Sequence, residues 1–166
     1  MRYVAGSLTA VLLALTQASS IEQFRILGVT PNLVVVFLVA WLVVRGLEDV
    51  LPMLAIAGIT LGLVGLQTPG LVLLALLPIA GLGVVRELHV VHSDLVLVLT
   101  LVLAATVAYE TVLLAAVMAS GGGFDFAAAV RGAVIPATLV NCALTPFVYL
   151  LMRLAKPVER RGRLSY

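Results

Sequence analysis

The sequence predicts an all-α integral membrane protein, a bundle of six transmembrane helices, and three observations predict it. From Val50 to Val85 the chain carries no charged side chain. One bilayer crossing takes about 20 apolar residues, so this run is too long for one helix and right for two. Gln67-Thr68-Pro69-Gly70, near its middle, carries the turn residues that would fold it into a tight hairpin. Second, 63% of the residues are hydrophobic and 11% charged, with a mean hydropathy of +1.22, whereas soluble domains carry about a quarter charged residues. Third, charges and turn residues cut the rest of the chain into apolar runs of similar kind. A chain of 166 residues leaves room for one such bundle and no separate extramembrane domain.

The expected domain is 1–155, followed by a basic tail at 156–166. The first span is about 3–19. Arg2, an apolar run from Val4 to Leu15 and the small residues Ala18-Ser19-Ser20 also resemble a secretory signal. One positive side chain before the run, and no soluble domain to export after it, favour a retained helix. The second span is about 31–44, opened by Thr30-Pro31 and closed by Arg45-Gly46; proline costs little at a first helical position, where its missing N–H would be unpaired anyway. The third and fourth are about 50–66 and 69–85. The fifth, about 95–119, ends at Ser120-Gly121-Gly122-Gly123, and the sixth, about 127–154, ends before Lys156-Pro157.

Six spans with a cytoplasmic N-terminus put Arg2, Arg45, Arg86, Arg153, Lys156, Arg160, Arg161 and Arg163 inside, and Arg25 and Arg131 outside. Eight of the ten Lys and Arg residues then lie inside, as the positive-inside rule expects. Both termini are predicted cytoplasmic. A five-span chain with an external N-terminus is the alternative. The net charge of +2 and pI near 9.0 are better explained by contact with anionic lipid than with nucleic acid, because the basic residues sit at crossing ends and in the tail.

Polar residues inside the spans are few. Glu110 lies about sixteen residues from the inner end of the fifth span, roughly 24 Å along the helix. It is read first as a structural acid facing the bundle interior, with Arg131 able to snorkel toward it; the sharper reading is a proton or cation site. Asn141, near the middle of the sixth span, has Thr138, Thr145 and Pro146 around it. Pro146 removes a helical donor and should kink the helix. Asn141 and Gln17 are read as helix-to-helix hydrogen bonders, a substrate pocket at the kink being the rarer option. Gly58-Ile59-Thr60-Leu61-Gly62 is a G-x-x-x-G pattern, read as an internal packing face, with an external dimer interface as the alternative.

Catalytic constellations are missing from the sequence. His89 and His92, with Arg86, Glu87 and Asp94 nearby, make a weak metal motif and are read as a solvated loop. There is no G-x-S-x-G, H-E-x-x-H or P-loop. The single cysteine, Cys142, rules out an internal disulfide and any multi-cysteine metal site, and has no basic neighbour in sequence to make it a thiolate. No enzyme, cofactor or metal is expected.

The order of short motifs resembles the rod shape-determining protein MreD family. Gln17 ends the first span, and Gly28-Val29-Thr30-Pro31-Asn32-Leu33 is similar to the family's "G-x-x-P-(D/N)-L" segment. Gly58 and Gly62 match its paired glycines, and Asn141, Pro146 and Tyr149 its closing "N-x-x-x-x-P-x-x-Y". The acid usual after the paired glycines is missing, since Leu63-Val64-Gly65-Leu66-Gln67 stands there. The resemblance implies a non-enzymatic component of the cell-wall elongation machinery. Its implied partners are MreC and, through it, MreB, RodA and a penicillin-binding transpeptidase. It also implies a bundle similar to the substrate-binding subunits of energy-coupling-factor transporters, which supplies a second reading as an importer subunit.

On the scaffold reading, Gly58, Gly62 and Gly65 would let a partner's membrane helix approach closely. The basic residues Arg153, Lys156, Arg160, Arg161 and Arg163 would bind anionic lipid. The importer reading needs a pocket with aromatic and polar groups, and the chain has one tryptophan, Trp41.

Overall fold

The computed structural model describes residues 2–19, 28–65, 67–87, 93–123 and 125–155. Every regular element among them is helical: α1 Arg2–Ser19, α2 Leu33–Arg45, α3 Leu47–Val64, α4 Pro69–Glu87, α5 Asp94–Ala119, α6 Phe126–Ala129 and α7 Ile135–Ala155. A π-helical turn, Val130–Val134, joins α6 to α7, so the last three elements form one continuous rod. Three stretches are long and apolar enough to cross a bilayer: Leu47–Val64, Asp94–Ala119 and Phe126–Leu154. Gly6–Ser19, Leu33–Arg45 and Pro69–Val84 are shorter apolar helices. The chain is an α-helical membrane protein.

The bundle is organised around α2. This helix packs against α1, α3, α4, α5 and α7, and Val34, Val35, Val36, Phe37, Leu38, Val39, Ala40, Leu42 and Val43 are all buried. Burial on every face is the fate of a helix that is apolar all round. Its neighbours pack as antiparallel hairpins and cross-pairs: α3 on α4, α1 on α3, α5 on α7 and α4 on α5. Outer faces stay apolar, with Leu63, Leu74, Leu139 and Phe147 exposed, as lipid contact allows.

Several helix bounds differ from those expected. Helix α2 starts at Leu33 with Asn32 as its N-cap, so Pro31 precedes the cap instead of opening the helix; the Asn side chain supplies a bond that proline cannot. Helix α3 starts at Leu47, directly after Gly46 at φ +108°. Glu48 and Asp49 therefore belong to its first turn, where acids suit the helix dipole, and Asp49 is buried. The charges had placed that boundary a turn too late. Pro146 lies inside α7, and the π-helical turn earlier in the same rod had no signal in the sequence.

The glycine pair faces inward. A Cβ on Gly58 would meet Leu73 Cδ2 at 2.6 Å, and one on Gly62 would meet the Pro69 nitrogen at 2.6 Å. Both sites are filled by α4 and offer no room to another chain's helix. Gly65 is the C-cap of α3, its N–H donating to the Leu61 carbonyl at 2.8 Å. It ends the helix and is exposed. An equivalent contact outside the G-x-x-x-G pattern is made by Gly6 on α1, which packs against Met53 and Trp41.

Candidate functional site: a buried amide junction and two recesses

Helix α2 has 13 residues, about 20 Å of rise, against a hydrocarbon core of about 30 Å. Its N-terminal end stops inside the bundle, where the cap residue Asn32 is buried. The free N–H groups of a helix start are costly where no water reaches them, and three amide side chains satisfy three of them here. Asn32 Oδ1 accepts from Val35 N at 3.1 Å. Gln17 Oε1, from α1, accepts from Val34 N at 3.1 Å. Asn141 Oδ1, from α7, accepts from Asn32 N at 2.8 Å.

The same amides bind one another and a fourth helix. Gln17 Nε2 donates to Asn32 Oδ1 at 3.1 Å, and Asn141 Nδ2 donates to Thr106 Oγ1 on α5 at 3.1 Å. Thr145 donates back to the Asn141 carbonyl at 2.7 Å. Asn141 and Thr145 are completely buried, and Asn32 and Thr106 nearly so. Helices α1, α2, α5 and α7 thus meet at one polar knot in an apolar core. Sequence reasoning singled out Gln17 and Asn141 separately. It passed over Asn32 as a cap and Thr106 altogether, since Thr60, Thr100, Thr111 and Thr138 show the commoner habit of bonding their own helix one turn back.

Beside the junction, a recess of about 240 Å³ is lined by Gly28, Val29, Thr30, Glu110, Ala133 and Ala137. Glu110 is the acid that faces it. Arg131 is exposed and makes no ion pair with Glu110, so the snorkelling contact expected between them is not formed. The π-helical turn carries Ala133 to the recess wall; such turns are frequent at functional sites.

A second recess, of about 340 Å³, lies at the opposite end of α2 and is lined by Val43, Val44, Arg86, Asp94, Tyr149 and Arg153. Arg86 Nε donates to the Val43 carbonyl at 3.1 Å, and Gly46 N to the Leu42 carbonyl at 2.9 Å. Together they satisfy two of the C-terminal carbonyls of α2. Tyr149 donates to Asp94 Oδ2 at 3.4 Å, tying α7 to the first residue of α5. Arg45, at the same end of α2, sits 5.7 Å from the centroid of Trp41, whose ring is tilted against Phe37.

Among the described residues no group of three or more His, Cys, Asp and Glu is placed to hold a metal ion. His89 and His92, and the tail residues Lys156, Arg160, Arg161 and Arg163, lie outside the described residues. Cys142 is a part-buried free thiol beside Asn141 on α7. Compared with known proteins, the chain matches no protein-family model, no curated protein and no solved structure.

Proposed function

We propose that the chain is a six-crossing membrane scaffold of the MreD type, non-enzymatic and part of the machinery for lateral cell-wall elongation, with both termini in the cytoplasm. One observation carries the reading. The residues on which the resemblance rests lie far apart in sequence, yet three of them, Gln17, Asn32 and Asn141, converge on one hydrogen-bonded junction. Two more residues of the closing segment, Tyr149 and the Arg153 that follows it, share the recess at the other end of α2. A motif set that builds one internal framework is what a structural scaffold requires, and the strongly polar side chains at its centre are consumed within the bundle.

The partners on this reading are MreC and, through it, MreB, RodA and a penicillin-binding transpeptidase. Since α4 fills the Gly58 and Gly62 sites, a partner's membrane helix would have to dock on the exposed apolar faces instead.

The importer reading draws on the recess beside Glu110. At about 240 Å³ it falls below the roughly 300–1,000 Å³ usual for small-molecule sites, and no aromatic side chain lines it among the described residues. Purification of a tagged, natively expressed copy in mild detergent, with mass spectrometry of what accompanies it, separates the two. Recovery of MreC and wall-synthesis enzymes supports the scaffold. Recovery of a coupling-factor ATPase pair would replace it with the importer.

A further inference from the structure

We infer that the recess between the ends of α2, α4, α5 and α7 is a binding site for one anionic phospholipid headgroup, with the phosphodiester held between Arg86 and Arg153. The charge balance is the first argument. Among the described residues, two arginines and one acid, Asp94, line the recess, a set that carries one net positive charge for a singly charged phosphodiester to neutralise. The second is preorganisation. Arg86 is anchored through Nε to the Val43 carbonyl, which fixes its plane at the recess wall; arginine's planar fork suits phosphate oxygens. Tyr149, buried beneath Arg153, holds Asp94 to one side.

Position argues for a lipid over a free anion. The recess lies at the ends of membrane-type helices, where basic pockets between helices bind acidic headgroups. Next to its wall, α7 presents Phe147, Leu150, Leu151 and Leu154, each more than half exposed. These positions follow the i, i+3, i+4, i+7 spacing of one helix face. An acyl chain lying along that face would bring its phosphate level with Arg153. A volume of about 340 Å³ is near the lower limit for ligand sites, suited to a headgroup and not to a whole lipid. This site is distinct from the diffuse attraction of the basic tail to a charged membrane.

The test is native mass spectrometry of the delipidated full chain in detergent, titrated with dioleoyl phosphatidylglycerol, dioleoyl phosphatidylcholine or inorganic phosphate. Phosphatidylglycerol is expected to bind one to one and more tightly than phosphatidylcholine. Arg153→Gln and Arg86→Gln should each weaken it about fivefold, the worth of one basic residue near a lipid surface. Arg86→Gln also loses the bond to Val43, so Asp94→Asn provides a control in the opposite direction. It keeps an acceptor for Tyr149, removes the repelling charge and should tighten binding by a similar factor. Replacing Arg160, Arg161 and Arg163 together by Gln should change it less than twofold. Indifference of phosphatidylglycerol binding to Arg153→Gln and Asp94→Asn would overturn the site. A loss caused by the tail replacements alone would assign the binding to the tail. Displacement of the lipid by millimolar inorganic phosphate would make the ligand a soluble anion and overturn the lipid assignment.

Discussion

At the scale of single residues, Asn141 decides more than any other polar group described. Its Oδ1 satisfies the N–H of the α2 cap and its Nδ2 reaches α5, so Asn141→Leu leaves the Asn32 N–H buried without a partner. An orphaned buried donor costs about 1–3 kcal/mol. Thr106→Val leaves the cap intact but takes the acceptor from the buried Asn141 Nδ2, so it breaks one bond where Asn141→Leu breaks two; membrane hydrogen bonds of that kind average about 0.6 kcal/mol. Thermal unfolding in detergent should therefore rank Asn141→Leu below Thr106→Val. Equal losses would show that the cap bond adds nothing beyond the bond to α5. Trp41 is the opposite case, because its indole N–H is buried with no hydrogen-bond partner among the described residues. Trp41→Phe removes that unpaired donor and keeps a ring against Phe37 and Arg45. It should leave the melting temperature nearly unchanged, where a core aromatic truncated to Ala typically costs about 3–5 kcal/mol.

Among the elements, the α3–α4 hairpin tests how a glycine pair is used. Gly62 faces the backbone of Pro69, which cannot move aside, while Gly58 faces the branched end of Leu73, which has other rotamers. Overpacking of a tight contact costs about 1–3 kcal/mol. Gly62→Ala should fall in that range and Gly58→Ala at or below its lower end, both read as loss of melting temperature in detergent without loss of any partner. If either substitution instead left stability untouched and abolished partner recovery, the pair would belong to an external interface. The hairpin itself was legible from an uncharged run with a central turn, because both signals are local. The burial of the α2 start was not. Asn32 before an apolar run is a good N-cap signal, but Pro31 competes for the same role one position earlier. Nothing local shows that Gln17 and Asn141 lie close enough to receive a helix start inside the bundle. In a chain that is apolar on nearly every face, periodicity does not distinguish the buried side of a helix from the lipid side.

For the whole molecule, orientation is the property on which the remaining readings depend. The Arg45, Arg86 and Arg153 end must be cytoplasmic if the positive-inside rule applies, and it is there that an acidic inner leaflet would supply the inferred headgroup. Three single cysteines in a Cys142→Ala background, probed on intact cells with a membrane-impermeant maleimide, decide it. Gly123→Cys is well placed in the α5–α6 connection, because a Cβ there meets nothing within 4 Å; it should react from outside. Ser165→Cys in the tail should react only after permeabilisation. These two outcomes hold for six spans and for five, so Tyr3→Cys, at the start of α1, discriminates. Labelling only after permeabilisation gives an even number of crossings and puts α1 with the rest of the bundle. Labelling on intact cells gives an odd number, with the α1 start outside. That result would be hard to reconcile with the junction, because Gln17 at the far end of α1 must reach the start of α2 while Tyr149 and Arg153 face the other end of the same helix. Topology and the polar knot therefore constrain each other. An external Tyr3 would overturn both the six-span arrangement and the placement of Gln17 on which the scaffold reading rests.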